Sequence, residues 1–197
     1  MRVVLDACVL FPSVLRSILV ECAARGLYEP VWSERILEEW ARAVIRLGPE
    51  AQAEARTDGL LMRTAFPRAM QRAQPNIESR LHLPDDNDLH VLAVAVSSGA
   101  DAILTFNAKD FPGHVLAAEG IVRRDPDGFI WELWSRHPRE VEGVLAKVHA
   151  EAERRAGQPV SMKGLLKRVK LNRFARVIDA PGLDAPGLGA AGLPDQP

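Results

Sequence analysis

The stretch "LPDDNDLHVLAVAVSSGADAILTFNAKDF", residues 83–111, decides how this chain is read. Leu89 to Ser98 is apolar on nearly every side and stops at Gly99, which describes a buried helix closed by a glycine. "ADAILTFN", residues 100–107, follows as a core strand. Asp85, Asp86, Asn87 and Asp88 stand directly in front of that helix. Helix capping accounts for one acid there, and a solvated turn accounts for a short polar run. A metal site accounts for several together, and the rest of the chain must choose.

Upstream, "RVVLDACVLF", residues 2–11, is almost wholly apolar and reads as a buried strand of a parallel sheet, with Asp6 late in it. Ser13 can cap the next helix, which runs to Gly26. "YEPVW" is a short connector or strand, and Ser33 caps a helix with Ile36, Leu37, Trp40, Val44 and Leu47 on one face. A further helical stretch from Pro49 to about Met70 carries a break near Asp58-Gly59, and "NIESRLHLPD" is irregular or weakly strand-like. "GIVRRD" is a third strand. Strands interleaved with helices in this way imply an α/β fold with a parallel sheet. Beyond Asp125, which caps a helix beginning at Pro126, three helices follow, the last over "SMKGLLKRVKLNRFARVI". Residues 179–197 are Pro, Gly and Ala-rich and read as a disordered tail.

Bulk composition agrees. At 197 residues, 47% hydrophobic and 26% charged, the chain is an ordinary globular protein with one main core. A net charge of -1 excludes a uniformly basic coat for nucleic acid. Cys8 and Cys22 are too few for a disulfide framework or a zinc finger and suit a cytoplasmic setting. Nothing approaches the length of a membrane span.

In an open parallel sheet, ligands gather at the carboxyl ends of the strands. Asp6, Asn107 and Asp110 lie at or just past such ends, and Asp85 to Asp88 precede the helix feeding the second strand. If the strands are neighbours, these groups converge. Asp6 is the most telling, because a strand-end carboxylate in an apolar run is costly to bury without a cation or donors. Convergent carboxylates repel unless a cation joins them, and an all-oxygen set suits Mg²⁺ or Mn²⁺. The histidines at 82, 90, 114, 137 and 149 show no metal-ligand spacing. "DDND" lacks the glycine and distal glutamate of a calcium loop, and no phosphate-binding glycine loop is present.

Taken in order, "VVLDACVLFPS", "WSERILEEW", "DDNDLHVLAVA" and "ILTFNAKDF" resemble the PIN-domain family of metal-dependent nucleases, over roughly residues 2 to 125. The likeness is greatest to the bacterial branch of VapC-like toxins. It implies a three-layer α/β/α sandwich with a central, mainly parallel sheet (residues 1–125), followed by a helical C-terminal extension (126–178). By position, Asp6, Glu39 and Asp88 match the family's metal-holding acids, with Glu38 the lesser candidate for the second. Asn107 falls at the fourth catalytic position, Asp110 follows it, Thr105 matches a strand-end hydroxyl, and Asp85 is accessory. Cys8 stands where many relatives have Asn, which weakens the expectation of a hydrogen bond supporting Asp6. The neutral Asn107 disfavours a tightly held second metal.

The resemblance further implies cleavage of single-stranded RNA to 5′-phosphate and 3′-hydroxyl ends, a cognate antitoxin and a homodimer. The rival reading is a PIN-fold module that binds RNA or protein with little catalysis. Residues 163–176 carry Lys163, Lys167, Arg168, Lys170, Arg173 and Arg176 with no acid. Lys167, Arg168 and Lys170 are candidate RNA contacts, as are Arg16 and Arg42 near the acids. Solvated charges on an amphipathic helix account for the same pattern, as a core stripe does for Trp131 and Trp134.

Overall fold

The computed structural model describes residues 1–177; the expected disordered tail lies outside them. The chain runs β1 (Arg2–Leu5), α1 (Ala7–Leu10), α2 (Ser13–Ala24), β2 (Glu29–Ser33), α3 (Glu34–Ala43), α4 (Pro49–Ala65), β3 (Met70–Gln71) and α5 (Pro75–Glu78). It continues with α6 (Leu89–Ser98), β4 (Ala102–Leu104), α7 (Gly113–Ala118), β5 (Val122–Arg124), α8 (Pro126–Arg136), α9 (Pro138–Ala156), α10 (Met162–Arg168) and α11 (Asn172–Val177). The five strands form one parallel sheet in the order β3-β2-β1-β4-β5. The expected α/β sandwich with added C-terminal helices is the fold observed.

β1 is the middle strand, with Val4 opposite Val31 of β2 and Ile103 of β4. Val3, Val4, Leu5, Ile103 and Leu104 are fully buried, as a strand covered on both faces requires. Successive connections leave β1 toward β2 and β3, then return to β4 and β5. Their direction therefore reverses between β1 and β4, and a crevice opens beyond the carboxyl ends of those two strands.

The structure corrects several local expectations. The first apolar run is a strand only to Leu5; after Asp6 it becomes α1, a distinction that a short apolar run does not encode. "YEPVW" supplies a full strand despite Pro30, and β3 adds a fifth strand. Alternation turns the backbone of Pro30 toward β3, where pairing begins only at Trp32, so the missing N–H costs no ladder bond. α4 runs unbroken through Gly59, which faces the Trp40 ring. The start of "NIESRLHLPD" is helical, because Pro75 sits at the first position of α5. Ser13 makes no capping bond, and Pro12 occupies that position. The Ser33 and Asp125 caps do form, accepting from the N–H groups of Ile36 (3.3 Å) and Gly128 (2.8 Å). The last expected helix divides into α10 and α11 at Lys170.

α8 and α9 share the main core rather than making their own, since Phe129, Ile130, Val141 and Val144 are fully buried within it. Phe129 meets the Tyr28 ring edge-on at 5.1 Å. Trp131, Trp134 and Phe174 pack together, and Trp134 donates to Glu142 at 3.0 Å, which assigns the tryptophan pair to packing. No helix among the described residues is long and apolar enough to cross a membrane.

Ile103 of β4 is completely buried beside β1. Ile103→Ala should lower the unfolding free energy by about 2–5 kcal/mol, measured by urea denaturation.

Candidate metal centre

Asp6 is the first residue past β1 and is 6% exposed. Its Oδ2 accepts a 2.6 Å bond from the Thr105 hydroxyl, just past β4, and a 3.0 Å bond from the Cys8 thiol. Thr105 Oγ1 accepts in turn from the Asn107 N–H at 2.9 Å, and Cys8 Sγ accepts from the Phe106 N–H at 3.2 Å. Two turns at the ends of neighbouring strands are thereby laced together around one carboxylate. Both donors use Oδ2, so Oδ1 has no protein donor among the described residues. The expectation that Cys8 weakens support for Asp6 is corrected, since the thiol supplies the bond. Burial and the neighbouring Asp6 push the Cys8 thiol up to about 12, so it is a protonated donor at neutral pH.

The acids before α6 divide their labour. Asp85 Oδ1 accepts from the backbone N–H and the side-chain amide of Asn87, both at 2.9 Å, and so caps the short 3₁₀ turn Asp86–Asp88. Asp88 occupies the capping position of α6 yet makes no capping bond. Its Oδ2 instead accepts from Asn107 Nδ2 at 3.1 Å, and the same amide donates to Asp110 Oδ2 at 2.9 Å. The Asp110 N–H closes the turn by donating to Asn107 Oδ1 at 3.2 Å. Asn107 thus bridges two like-charged groups without adding charge. Carboxylate oxygens of Asp85, Asp88 and Asp110 lie within 4.8 Å of one another.

Glu39 reaches the region from α3. Its Oε1 lies 3.3 Å from Arg35 Nε and 2.9 Å from Nε2 of His90. His90 is 3% exposed, and the contact with Glu39 lies off the line of a formed hydrogen bond, which leaves both ring nitrogens unsatisfied. Glu38, one residue earlier, pairs instead with Arg42 (3.1 Å) and Arg56 (3.2 Å). Sequence reading missed His90 and Arg35. The available signal for His90 was a lone polar residue inside an otherwise apolar, buried helix.

The basic candidates are placed differently. Arg16 does not present its charge to the acids: it donates to Leu10 O (2.8 Å) and Asp58 (2.7 Å) and lies 4.5 Å over the Trp40 ring. Arg42 is committed to Glu38. Lys167, Arg168 and Lys170 are exposed at the end of α10.

Electrostatics summarises the cluster. Asp88 is pushed up to about 6, first by burial and then by Asp6, Asp85, Asp110 and Glu39 in that order. A carboxyl raised in the folded state lends stability while protonated, fully below its unfolded value of 3.8, and that stability is lost as pH rises through about 6. In metal-free protein, Asp88→Asn should therefore melt higher than the parent by roughly 2–4 °C above pH 7. The difference should vanish near pH 4, as read by melting curves across pH.

Comparison with known proteins places this geometry in a family. A family model described as PIN domain matches residues 2–109. Searches of curated proteins and of solved structures returned no significant match. The matched span contains Asp6, Glu39, Asp85, Asp88, Thr105 and Asn107, with Asp110 immediately beyond it, and covers more than half of the chain: this protein belongs to the PIN-domain family, whose members are generally divalent-metal nucleases.

Proposed function

We propose that this protein is a Mg²⁺- or Mn²⁺-dependent endoribonuclease of single-stranded RNA, serving as the toxin of a toxin–antitoxin pair. One observation carries the nuclease part. Five acids face one crevice, where burial first, and then the four neighbouring carboxylates, push Asp88 up to about 6. The order of Asp6, Glu39 and Asp88 and their contexts support the narrower toxin reading by their likeness to the VapC-like branch.

The donor set fits a hard divalent ion. It offers carboxylate oxygens of Asp85, Asp88 and Asp110 within 4.8 Å of one another, and the nearby Cys8 sulfur is a thiol rather than a competing thiolate. Asp6 and Asp88 would hold the ion, with Glu39 joining directly or through water. When bound, it screens these acids, polarises a phosphodiester and acidifies water for in-line attack. The surrounding residues prepare that site. Thr105 and Cys8 fix Asp6 through Oδ2 and keep Oδ1 clear. Asn107 holds Asp88 and Asp110 through one amide, and Asp85 holds the turn that presents Asp88. Arg35 ties Glu39 to this turn by also donating to the Asn87 carbonyl at 3.2 Å.

The alternative, a PIN-fold module that binds RNA or protein with little catalysis, draws on the neutral Asn107 in the fourth position. Cleavage of a mixed set of single-stranded RNAs separates the two. Cutting should require Mn²⁺ or Mg²⁺, stop with EDTA and be abolished by Asp6→Asn; binding without cutting at any metal concentration would favour the module. Thr105→Val should cost roughly 10–100-fold in metal affinity or activity. Because Asp88 must shed its proton to ligate, apparent metal affinity by calorimetry should rise as pH passes through about 6 and level off above it.

A further inference from the structure

We infer that Lys170, in the C-terminal extension, is a substrate-binding residue that holds an RNA phosphate beside the acidic crevice. This rests on the nuclease reading above. Lys170 stands at the junction of α10 and α11 with φ of 63°, the one non-glycine residue at positive φ among the described residues. The turn is a Schellman closure: the Lys170 N–H donates to Lys167 O at 3.0 Å and the Leu171 N–H to Leu166 O at 2.9 Å. α6 and α9 end in the same left-handed conformation, and there the residue is Gly99 or Gly157. A lysine is a poor choice for this backbone, so its side chain is the part that needs a reason.

That side chain reaches the turn that follows β4 and carries two residues of the crevice. Lys170 Nζ lies 4.9 Å from the centre of the Phe106 ring. Phe106 sits between Thr105, which holds Asp6, and Asn107, which holds Asp88 and Asp110. Its own N–H is bonded to Cys8. A contact with a ring face fixes an ammonium in place without neutralising it. Lys170 is exposed and makes no ion pair among the described residues.

The need for such a cation follows from the charge around the crevice. A cluster of acids repels a polyanion, and the arginines nearest Glu39 are already spent. Arg35 pairs with Glu39 and Glu78, and Arg42 and Arg56 pair with Glu38. A cation at the rim draws the backbone in and sets its register against the metal-holding residues. The break between α10 and α11 is what brings Lys170 to the Phe106 ring.

The test is binding of a fluorescein-labelled single-stranded RNA to full-length Asp6→Asn protein in Mg²⁺, by anisotropy over a range of salt. Adding Lys170→Met should weaken binding about 3–10-fold at moderate salt and reduce the slope of log K against log salt by about 0.7, one phosphate's worth. Lys170→Arg should keep both. Lys170→Gly separates the side chain from the fold: it should melt no lower than the parent, because glycine suits the turn, yet lose the same affinity. Parent-like affinity and slope in Lys170→Met or Lys170→Gly would overturn the proposal and leave the nuclease reading standing. No binding by the Asp6→Asn parent would overturn both.

Discussion

The hydrogen bond from the Thr105 hydroxyl to Asp6 joins the carboxyl ends of β1 and β4 at 2.6 Å, and the crevice depends on it. A carboxylate this deeply buried is tolerable only with donors or a cation. The protein supplies two donors and aims both at the same oxygen. The price of burial is thus partly offset, while the other oxygen stays unclaimed by protein donors. The sheet order makes this possible, because the parallel pairing of Leu5 with Leu104 puts the next residue of each strand side by side.

Around that pair, the protein brings negative charge together and steadies it with neutral groups. Asn107 is the clearest case. A fourth acid there would add repulsion to Asp88 and Asp110, whereas the amide donates to both. Cys8 acts in the same way toward Asp6. Both residues depart from a fully acidic or amide-lined pattern, yet each makes the contact that steadies its neighbours. Burial and the surrounding carboxylates together push Asp88 up to about 6, in a cluster whose oxygens could hold a cation.

The C-terminal helices are more than a covering layer. α9 lies along α2, where Lys147 pairs with Glu21 at 2.6 Å and Gly143 leaves room for the Arg25 guanidinium. α11 docks through Phe174 onto Trp131 and Trp134. Exposed ion pairs contribute little to such docking, and the buried aromatic contacts carry most of it. This packing fixes the α10–α11 junction against the Phe106 turn.

Fold class was legible in the sequence because hydrophobic period and glycine position are local properties. The helix from Leu89 to Gly99, the core strand after it, and the Ser33 and Asp125 caps all followed from neighbours in the chain. So did the grouping of Asp6, Asp88, Asn107 and Asp110, once strand ends were assumed adjacent. Other features depend on residues far apart in sequence, which no local pattern encodes. Tertiary contact alone turned Cys8 into a donor for Asp6, set His90 against Glu39 and separated Glu39 from Glu38. It also spent Arg16 on Asp58 and Trp40, and carried Lys170 to Phe106. The sequence by itself determined the central strands of the sheet and which acids their ends would gather. Only the folded chain decided which oxygen, nitrogen and sulfur atoms face one another, because a hydrogen bond is set by distances of a few ångströms between segments that meet only after the core has formed.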